Sequence, residues 1–413
     1  MGHPRHVDAV AVIGAGMAGA GVALELAVRG VPVVLIERDA QAFGRASLRN
    51  EGKIHLGLIY ANDASLATAR LQLRGALAFG GLLRRWLGAE AGSLQPSTPF
   101  HYVVAHDSLL SPEQLEAHYA NVQRLYDEAR RQQPDLDYLG GSPQRLYERV
   151  AAATVPVLAP SRFAAVFRTA EIAVDTAQLA ARVRRAIDEQ PLIELRCGHR
   201  VQSVSAGAHG FQIAGETAAG AWQIDAQQVV NCSWEDRLRI DRGAGREPLP
   251  GWVHRLKYRV IARLPPALRD GPSVTMVLGP YGDVVVRGDG SAYFSWYPVG
   301  LQGWTHALAP PPDWDGACRG ELPADAAAAM AREVLSAIDT WYPGAADSEP
   351  LLVDAGVIVG YGSTDVHDPR SGLHDRTRIG VASHGGYHSL DPGKLTTAPL
   401  FACIAADRVV ALR

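Results

Sequence analysis

The chain has 413 residues and a formal net charge of −3 at pH 7, and its length is sufficient to bury a large core in one or two domains. This near-neutral charge is untypical of nucleic-acid binding, which favours basic surfaces. The four cysteines are far apart in sequence, which argues against a disulfide framework or a zinc site and favours a reducing compartment. The opening residues MGHPRH lack a signal-peptide pattern. We therefore expect a cytoplasmic protein with a small-molecule partner and without a metal, nucleic-acid or membrane partner.

The strand–turn–helix–strand pattern of a nucleotide-binding unit is present in DAVAVIGAGMAGAGVALELAVRGVPVVLIER. Gly14, Gly16 and Gly19 have the G-x-G-x-x-G spacing, in which glycines permit a tight turn, close approach of a pyrophosphate and helix–strand packing. Glu37 ends the second strand, where an acid accepts hydrogen bonds from a ribose. Arg38 would suit a 2′-phosphate, but arginine also follows this acid in FAD-binding proteins. The unit predicts dinucleotide binding and does not by itself separate FAD from NAD.

A polar loop, RNEGKIHLGLIYAND, follows this unit and turns apolar directly after His55. We interpret its polar half as the border of a cofactor and its apolar half as a return to the core. Arg45, Arg49 and Lys53 would give this region a positive potential suited to a pyrophosphate or an anionic substrate. The alternative is that two of the three point to solvent.

Beyond this loop the chain does not continue as a simple alternation of strands and helices. A long helix is predicted over residues 64–88, and another begins after Ser111, with Gln114 completing a capping box. Glycine and proline turns divide residues 252–304 into a β-rich meander. A helix over 324–344 and a final strand, glycine-rich loop and helix complete the chain, so the domains are expected to be discontinuous.

Four segments resemble the FAD-dependent oxidoreductases of the D-amino-acid oxidase family, which includes glycine and sarcosine oxidases and L-2-hydroxyglutarate dehydrogenase. The segments are residues 14–37, the loop NEGKIHLGLIYANDASL, the strand AQQVVNCSW and the run PGKLTTAP, which is similar to the G-x-K-L-S run of sarcosine oxidases. The resemblance implies an α/β fold with a Rossmann-type, glutathione-reductase-like FAD-binding domain. It also implies an inserted α+β substrate domain with a largely antiparallel β-sheet.

The resemblance divides the chain into five segments that belong to two domains. Residues 1–88, 161–248 and 346–413 would form the FAD-binding domain, and residues 89–160 and 249–345 the substrate domain.

The resemblance also implies which residues contact the cofactor, FAD, held non-covalently. Ser47 would lie near the pyrophosphate, and Lys394 with the helix start at Leu395–Thr396 would face the N1–C2=O edge of the flavin, where positive charge stabilises the reduced ring. Asn231-Cys232-Ser233 replaces the usual alanine–glycine turn of the family. The complete expected set is Gly14, Gly16, Met17, Ala18, Gly19, Glu37, Arg38, Arg45, Ser47, Gly52, Lys53, Val201, Gly386, Gly393, Lys394, Leu395 and Thr396.

His55 has three interpretations: a flavin-attachment site as in the dimethylglycine dehydrogenase branch, an active-site base or substrate ligand, or a buried structural residue. The arginine that grips a substrate carboxylate in amino-acid oxidases is expected near Gly360-Tyr361-Gly362 and is missing there, so Arg370 is a candidate. Tyr293, Ser295 and Tyr297 alternate and would share one strand face. Other candidates are Lys257, as an aid to oxygen reduction, and Tyr361, His367, Tyr387 and His388, as parts of a polar, aromatic pocket. The predicted catalytic residues are His55, Tyr297, Tyr361, Arg370 and Tyr387.

The predicted function is oxidation by hydride removal from a carbon that bears nitrogen or oxygen, in a polar amine, amino acid or 2-hydroxy acid. The flavin would be reoxidised by O2 or another acceptor, and a role in a specialised biosynthetic pathway fits such a substrate. Two alternatives remain open: a flavin monooxygenase that needs NAD(P)H, and an FAD-binding protein without redox turnover.

Overall fold

A computed structural model describes residues 5–7, 9–207, 210–362, 364–366, 368 and 370–413. The strands in this part of the chain are β1 (Arg5–Val7), β2 (Val10–Ile13), β3 (Val33–Ile36), β4 (Phe100–Ala105), β5 (Tyr147–Val150), β6 (Phe163–Thr169), β7 (Ile193–Arg196), β8 (Arg200–Gly207), β9 (Gly210–Thr217), β10 (Gly220–Ala226), β11 (Val229–Asn231), β12 (Trp252–Arg263), β13 (Ser273–Val277), β14 (Gly282–Val286), β15 (Ser291–Trp296), β16 (Leu301–Thr305), β17 (Glu349–Tyr361), β18 (Gly380–His384) and β19 (Tyr387–Asp391). The helices are α1 (Met17–Val28), α2 (Ala67–Leu87), α3 (Pro112–Gln132), α4 (Thr176–Asp188), α5 (Arg237–Gly243), α6 (Tyr297–Gly300), α7 (Asp315–Arg319), α8 (Ala324–Asp339) and α9 (Ala398–Val410).

The nucleotide-binding unit is part of a six-stranded sheet with the order β18-β19-β11-β2-β3-β7. The five strands from β19 to β7 pair in parallel, and β18 adds an antiparallel edge. Every residue of β2 and β3 is buried, which explains why both strands consist of apolar, mostly β-branched residues. Helix α1 packs on β2 and β3 and against α9, and α9 contacts β18 and β19, so the two helices lie side by side on this sheet. The predicted Rossmann-type fold is confirmed.

A larger sheet has the order β16-β12-β15-β14-β13-β4-β6-β5, and the long strand β17 pairs with β12. Its pairs are antiparallel except for β13 with β4, which confirms the predicted, largely antiparallel second sheet. A small sheet of β1, β10, β9 and β8 packs beside the nucleotide-binding sheet. The five-segment domain division stays a prediction, and β6 pairs within the large sheet although the division assigns it to the FAD-binding part.

Local sequence signals explain where several elements begin. Ser111 accepts a hydrogen bond from the Gln114 amide, and the Gln114 side chain accepts one from the Ser111 amide, as the capping-box pattern predicts. Helix α2 begins at Ala67, three residues later than predicted, because Leu66 has a left-handed backbone with φ of 60°. Strand β15 ends at Trp296, and Tyr297 begins a helical turn before Pro298, so Tyr297 does not continue the strand face of Tyr293 and Ser295.

A buried charge network holds β11, α5 and β19 together. Asp241 accepts hydrogen bonds from the side-chain amide of Asn231 at 2.8 Å, from the Tyr387 hydroxyl at 2.8 Å and from the Ser389 hydroxyl at 2.6 Å. Arg237 pairs with Asp241 at 3.3 Å and with Asp391 at 2.8 Å. Asn231 is therefore a structural part of this network.

Removing the central carboxylate of the network should destabilise the fold strongly. Asp241→Ala removes the acceptor of three buried polar groups and one ion-pair partner of Arg237, and breaking a buried pair in this way costs about 3–5 kcal/mol. Asp127→Ala, at an exposed position of α3, is the matched control and should cost less than about 0.5 kcal/mol. Urea unfolding followed by circular dichroism measures both free energies of unfolding. Equal losses in the two variants would contradict the role given to Asp241.

Candidate active site

One large cavity, of about 360 Å³, runs between the nucleotide-binding unit and the large sheet. Its walls come from the β2–α1 turn, the loop after β3, strands β12 to β15 and the segment that leads into α9. The sequence-predicted residues on its walls are Gly14, Gly16, Met17, Ala18, Glu37, Arg38, Arg45, Ser47, Lys53, His55, Val201, Tyr297, Gly393, Lys394 and Leu395.

The nucleotide end of the cavity fits a dinucleotide. Gly14 has φ of +90°, and a Cβ there would lie 2.8 Å from the carbonyl oxygen of Cys232. A Cβ at Gly16 would lie 2.9 Å from Ser47 Oγ, which accepts a hydrogen bond from the Met17 amide. Gly16, the N-cap residue of α1, supplies no capping side chain, and Ser47 bonds the Met17 amide, so the amides that follow Met17 remain as donors for phosphate oxygens at this end of the cavity.

Glu37 holds this end of the site in place. Its carboxylate accepts hydrogen bonds from the Ala15 amide at 2.8 Å and from the Asp39 amide at 3.0 Å. Burial raises the pKa of Glu37, against the effect of these two hydrogen bonds. Arg38 pairs with Glu235 and Asp236, so two carboxylates already use the charge that a 2′-phosphate would need.

The cations of the loop after β3 are neutralised within the protein. Arg45 pairs with Asp39, Glu235 and Asp315, Arg49 with Asp354, and Lys53 with Asp283 at 2.9 Å. Lys53 Nζ also lies 4.1 Å from the centroid of the Phe100 ring. None of the three cations points to solvent, and none is free to give the cavity the positive potential that the sequence suggested.

His55 lies between two carboxylates. Its Nε2 is 3.6 Å from Glu51 Oε1 and its Nδ1 is 3.7 Å from Glu171 Oε2, and neither ring nitrogen has a hydrogen-bond partner among the described residues. Glu171 is fully buried and accepts hydrogen bonds from the Leu56 amide at 2.7 Å and from the Tyr102 hydroxyl. Burial alone would raise the pKa of Glu51, but Lys394 and His55 hold it well below its ordinary value. Glu51 is therefore an anion on the cavity wall, beside His55, which lines the same cavity.

Lys394 is the cation beside this pair. Burial lowers the pKa of Lys394 to about 8, against the attraction of Glu51. Thr396 does not line the cavity, because its hydroxyl accepts a hydrogen bond from the His55 amide at 2.9 Å and holds the loop against the start of α9. The segment before α9 thus fixes the position of His55 and supplies a positive charge near it.

The far end of the cavity is formed by the large sheet. Arg255, Lys257 and Arg259 alternate along β12 and all line the cavity. Arg255 donates to the Tyr297 hydroxyl at 2.7 Å, and this hydroxyl donates to Asp365 at 2.8 Å. Burial raises the pKa of Tyr297 to about 12, so Tyr297 remains a neutral donor.

Three predicted catalytic residues do not reach the cavity. Arg370 is 91% exposed and pairs with Asp368. The Tyr361 hydroxyl contacts Arg237, and Tyr387 belongs to the buried network around Asp241. His388 is bonded to Ser383 and Gln228 away from the cavity, and His367 lies outside the described residues.

Three predicted cofactor glycines also lie outside the cavity, and each has a packing reason. A side chain at Gly19 would collide with the Gly14 carbonyl, and one at Gly52 with the Val174 carbonyl. Gly386 has φ of +87° and lies against Gln227.

Sequence reasoning missed Glu51, Glu171, Arg255 and Arg376. Glu51 could have been found because it lies four residues before His55 in the same polar loop. Arg255 could have been found because basic residues alternate in RLKYR, which places them on one face of β12. Glu171 and Arg376 carried no local signal, because they approach the site from remote parts of the chain.

Other classes of site have little support in the described part of the chain. It contains no group of three or more histidine, cysteine or acidic residues placed to hold a metal ion. None of its helices combines the length and the apolar composition needed to cross a membrane. All four cysteines are free thiols.

The parallel sheet, the glycine cradle with its acid and the adjoining cavity define a dinucleotide-binding protein. The model of a family described as FAD dependent oxidoreductase (DAO) matches residues 9–408, so the chain belongs to this family. This confirms the resemblance to D-amino-acid oxidases and identifies the protein as an FAD-dependent oxidoreductase. A search of curated proteins found no match.

Several solved structures share the fold. Glycine oxidase from Geobacillus kaustophilus is 16% identical, with a TM-score of 0.69 over 99% of this chain and 96% of that one. L-alpha-glycerophosphate oxidase from Mycoplasma pneumoniae, solved with FAD bound, is 14% identical, with a TM-score of 0.66 over 99% and 96% of the two chains. Iminodiacetate oxidase from Chelativorans sp. BNC1 is 20% identical, with a TM-score of 0.64 over 98% and 96%.

A side chain in the glycine cradle should reduce FAD binding. Gly16→Val brings a branched side chain against Ser47 and the first amides of α1, so the dissociation constant for FAD should rise roughly tenfold or more, about 1.4 kcal/mol. Gly243→Ala is the control, because nothing lies within 4 Å of a Cβ there. The flavin-to-protein absorbance ratio and a fluorescence titration measure the change. Full flavin occupancy in Gly16→Val would contradict this assignment.

Proposed function

We propose that the protein removes a hydride from a carbon bearing nitrogen or oxygen in a polar amine, amino acid or 2-hydroxy acid. The observation that carries this proposal is the Glu51–His55 pair on the wall of the same cavity whose other end is the nucleotide cradle. The similar structures include a glycine oxidase, an iminodiacetate oxidase and a glycerophosphate oxidase, which supports the same reaction class.

In this reaction the substrate loses a hydride from carbon and a proton from nitrogen or oxygen, and a C=N or C=O bond forms. FAD, when bound, supplies the acceptor for the two electrons. His55 would receive the proton, either directly or through Glu51, because Glu51 lies on the cavity wall and is ionised. Glu171, held by the Leu56 amide and the Tyr102 hydroxyl, would stabilise the positive charge that His55 acquires.

We propose that the cofactor is held without a covalent bond. Both ring nitrogens of His55 face carboxylates, which suits proton transfer better than attachment to the flavin. The pyrophosphate of FAD would bind the first amides of α1 and Ser47, and Lys394 would lie beside the flavin ring. Met17, Ala18, Val201, Gly393 and Leu395, which line the cavity, complete the proposed contacts.

We further propose a cytoplasmic location, supported by the four free thiols. A small molecule is the proposed partner. O2 or another electron acceptor would complete the cycle.

An anaerobic titration of the purified holoprotein tests the reaction class. Amines, amino acids and 2-hydroxy acids are added in turn, and then NADPH, while the visible flavin bands are recorded. The expected result is bleaching by an amine, an amino acid or a hydroxy acid without NADPH, and a colourless pellet after acid precipitation because FAD is released.

Other results would overturn parts of the proposal. Bleaching by NADPH alone would indicate a monooxygenase, and bound FAD that no reagent in the panel reduces would indicate a protein without redox turnover. Colour retained in the acid pellet would make His55 the first attachment site to test.

Substitutions of His55 and Glu51 should slow flavin reduction without lowering the amount of bound flavin. His55→Asn should slow anaerobic flavin reduction by about 100-fold or more, the usual contribution of a general base, while the flavin content stays unchanged. Glu51→Gln should give a smaller loss, because His55 remains. His384→Asn, on exposed β18, is the control and should reduce at the wild-type rate. Wild-type rates in His55→Asn would rule out its role as the proton acceptor.

A further inference from the structure

Two buried arginines line the far end of the cavity, and neither pairs with a carboxylate of the described residues. Arg255 on β12 is 3% exposed, and Arg376, which follows the turn Gly372–His374, is 6% exposed. Within the described part of the chain, their side chains donate to neutral oxygens, the Tyr297 hydroxyl and the Val359 carbonyl, and neither Nε has a partner. A buried guanidinium without a counter-charge is costly, so an external anion is the expected partner.

The two guanidinium groups converge over Gly360 of β17. A Cβ at Gly360 would lie 3.3 Å from an Arg376 Nη atom and 3.8 Å from an Arg255 Nη atom. Two like charges this close repel each other strongly when water is excluded, unless an anion lies between them. An arginine was expected from β17 at this point, and the structure instead supplies two arginines from other elements.

The surrounding groups strengthen the positive character of this end. Lys257 also lines it, and its Nζ lies 5.8 Å from the Tyr297 ring centroid. Among the described residues Lys257 forms no ion pair. Asp365 does not pair with Arg255 directly, because the Tyr297 hydroxyl lies between them. Among the described residues the Tyr60 hydroxyl, which is buried on the cavity wall, has no hydrogen-bond partner, so it is an additional donor, and its ring lies 5.7 Å from the His55 ring between centroids.

We propose that Arg255 and Arg376 together bind a substrate that carries two negative charges at its acidic end. Resting on the proposed function, this names the substrate class as a dianion: an amino, imino or hydroxy acid with two carboxylates, or one with a phosphate group. A single carboxylate, even if it bridged both guanidinium groups, would bring one negative charge to two buried positive charges and leave one of them uncompensated.

Ligand binding without turnover tests this proposal. Succinate and glutarate, with butyrate as the monocarboxylate and 2-phosphoglycolate as the phosphate probe, are titrated into the oxidised holoenzyme and followed by the perturbation of its flavin absorbance. The dicarboxylates or the phosphate should bind at least tenfold more tightly than butyrate, and the tighter of these two classes identifies the acidic group. Equal affinity for butyrate and the dianions would overturn the proposal.

Matched variants locate the binding charge. Arg255→Gln and Arg376→Gln should each weaken dianion binding at least tenfold and change butyrate binding less, whereas Arg378→Gln, an exposed arginine two residues away, should leave both unchanged. Arg255→Lys and Arg376→Lys keep the charge and should recover part of the affinity. Unchanged dianion affinity in both glutamine variants would refute the assignment.

These probes carry no oxidisable amine, so the binding result is independent of the reaction. Dianion binding without any bleaching substrate would refute the proposed function and leave this inference standing. Bleaching by monocarboxylic amino acids, together with no preference for dianions in the binding assay, would support the proposed function and refute this inference.

Discussion

The close contact between the start of α1 and the turns around it is the constraint on which the site depends. A side chain at Gly19 would collide with the Gly14 carbonyl, and one at Gly14 would meet the Cys232 carbonyl at 2.8 Å. Backbone therefore packs on backbone here, and this packing fixes the direction in which the first amides of α1 point. Ser47 is bonded to one of these amides, so the loop that leads to Glu51 and His55 starts from the same anchor.

Ion pairs then join the large sheet to this loop. Asp354 of β17 pairs with Arg259 of β12 and with Arg49, while Arg259 also donates to the Leu48 carbonyl. Arg45 pairs with Asp315 of α7. Buried pairs of this kind add little net stability after desolvation, but they favour one relative placement of the paired elements. The loop cations thus position the two walls of the cavity.

The parts of the molecule that depend on neighbouring residues were predictable from the sequence. The glycine spacing with Glu37, the Ser111–Gln114 cap and the two sheet types all follow from short-range patterns. The neutralisation of the loop cations by ion pairs was not predictable, because Arg49 pairs with Asp354 and Lys53 with Asp283, each more than 200 residues away in sequence. Tyr387 and Arg370 looked like pocket residues by position, yet one is bonded inside a structural network and the other lies in an exposed turn.

The proposed proton acceptor and the proposed anion-binding arginines are held in the cavity by different elements. At the proposed proton-transfer site, His55 is held by the hydrogen bond from its amide to Thr396 and lies beside Glu171, which accepts a hydrogen bond from the Leu56 amide. At the far end, glycine on β17 makes room for guanidinium groups from β12 and from a loop whose Arg376 amide donates to Thr68 of α2. An arginine on β17 itself would need one strand in place, whereas this arrangement needs three elements to meet. The proposed recognition of the substrate's charge and the proposed proton transfer therefore both depend on long-range packing, because Thr396 lies 341 residues from His55 and Glu171 lies 115 residues from Leu56 in sequence.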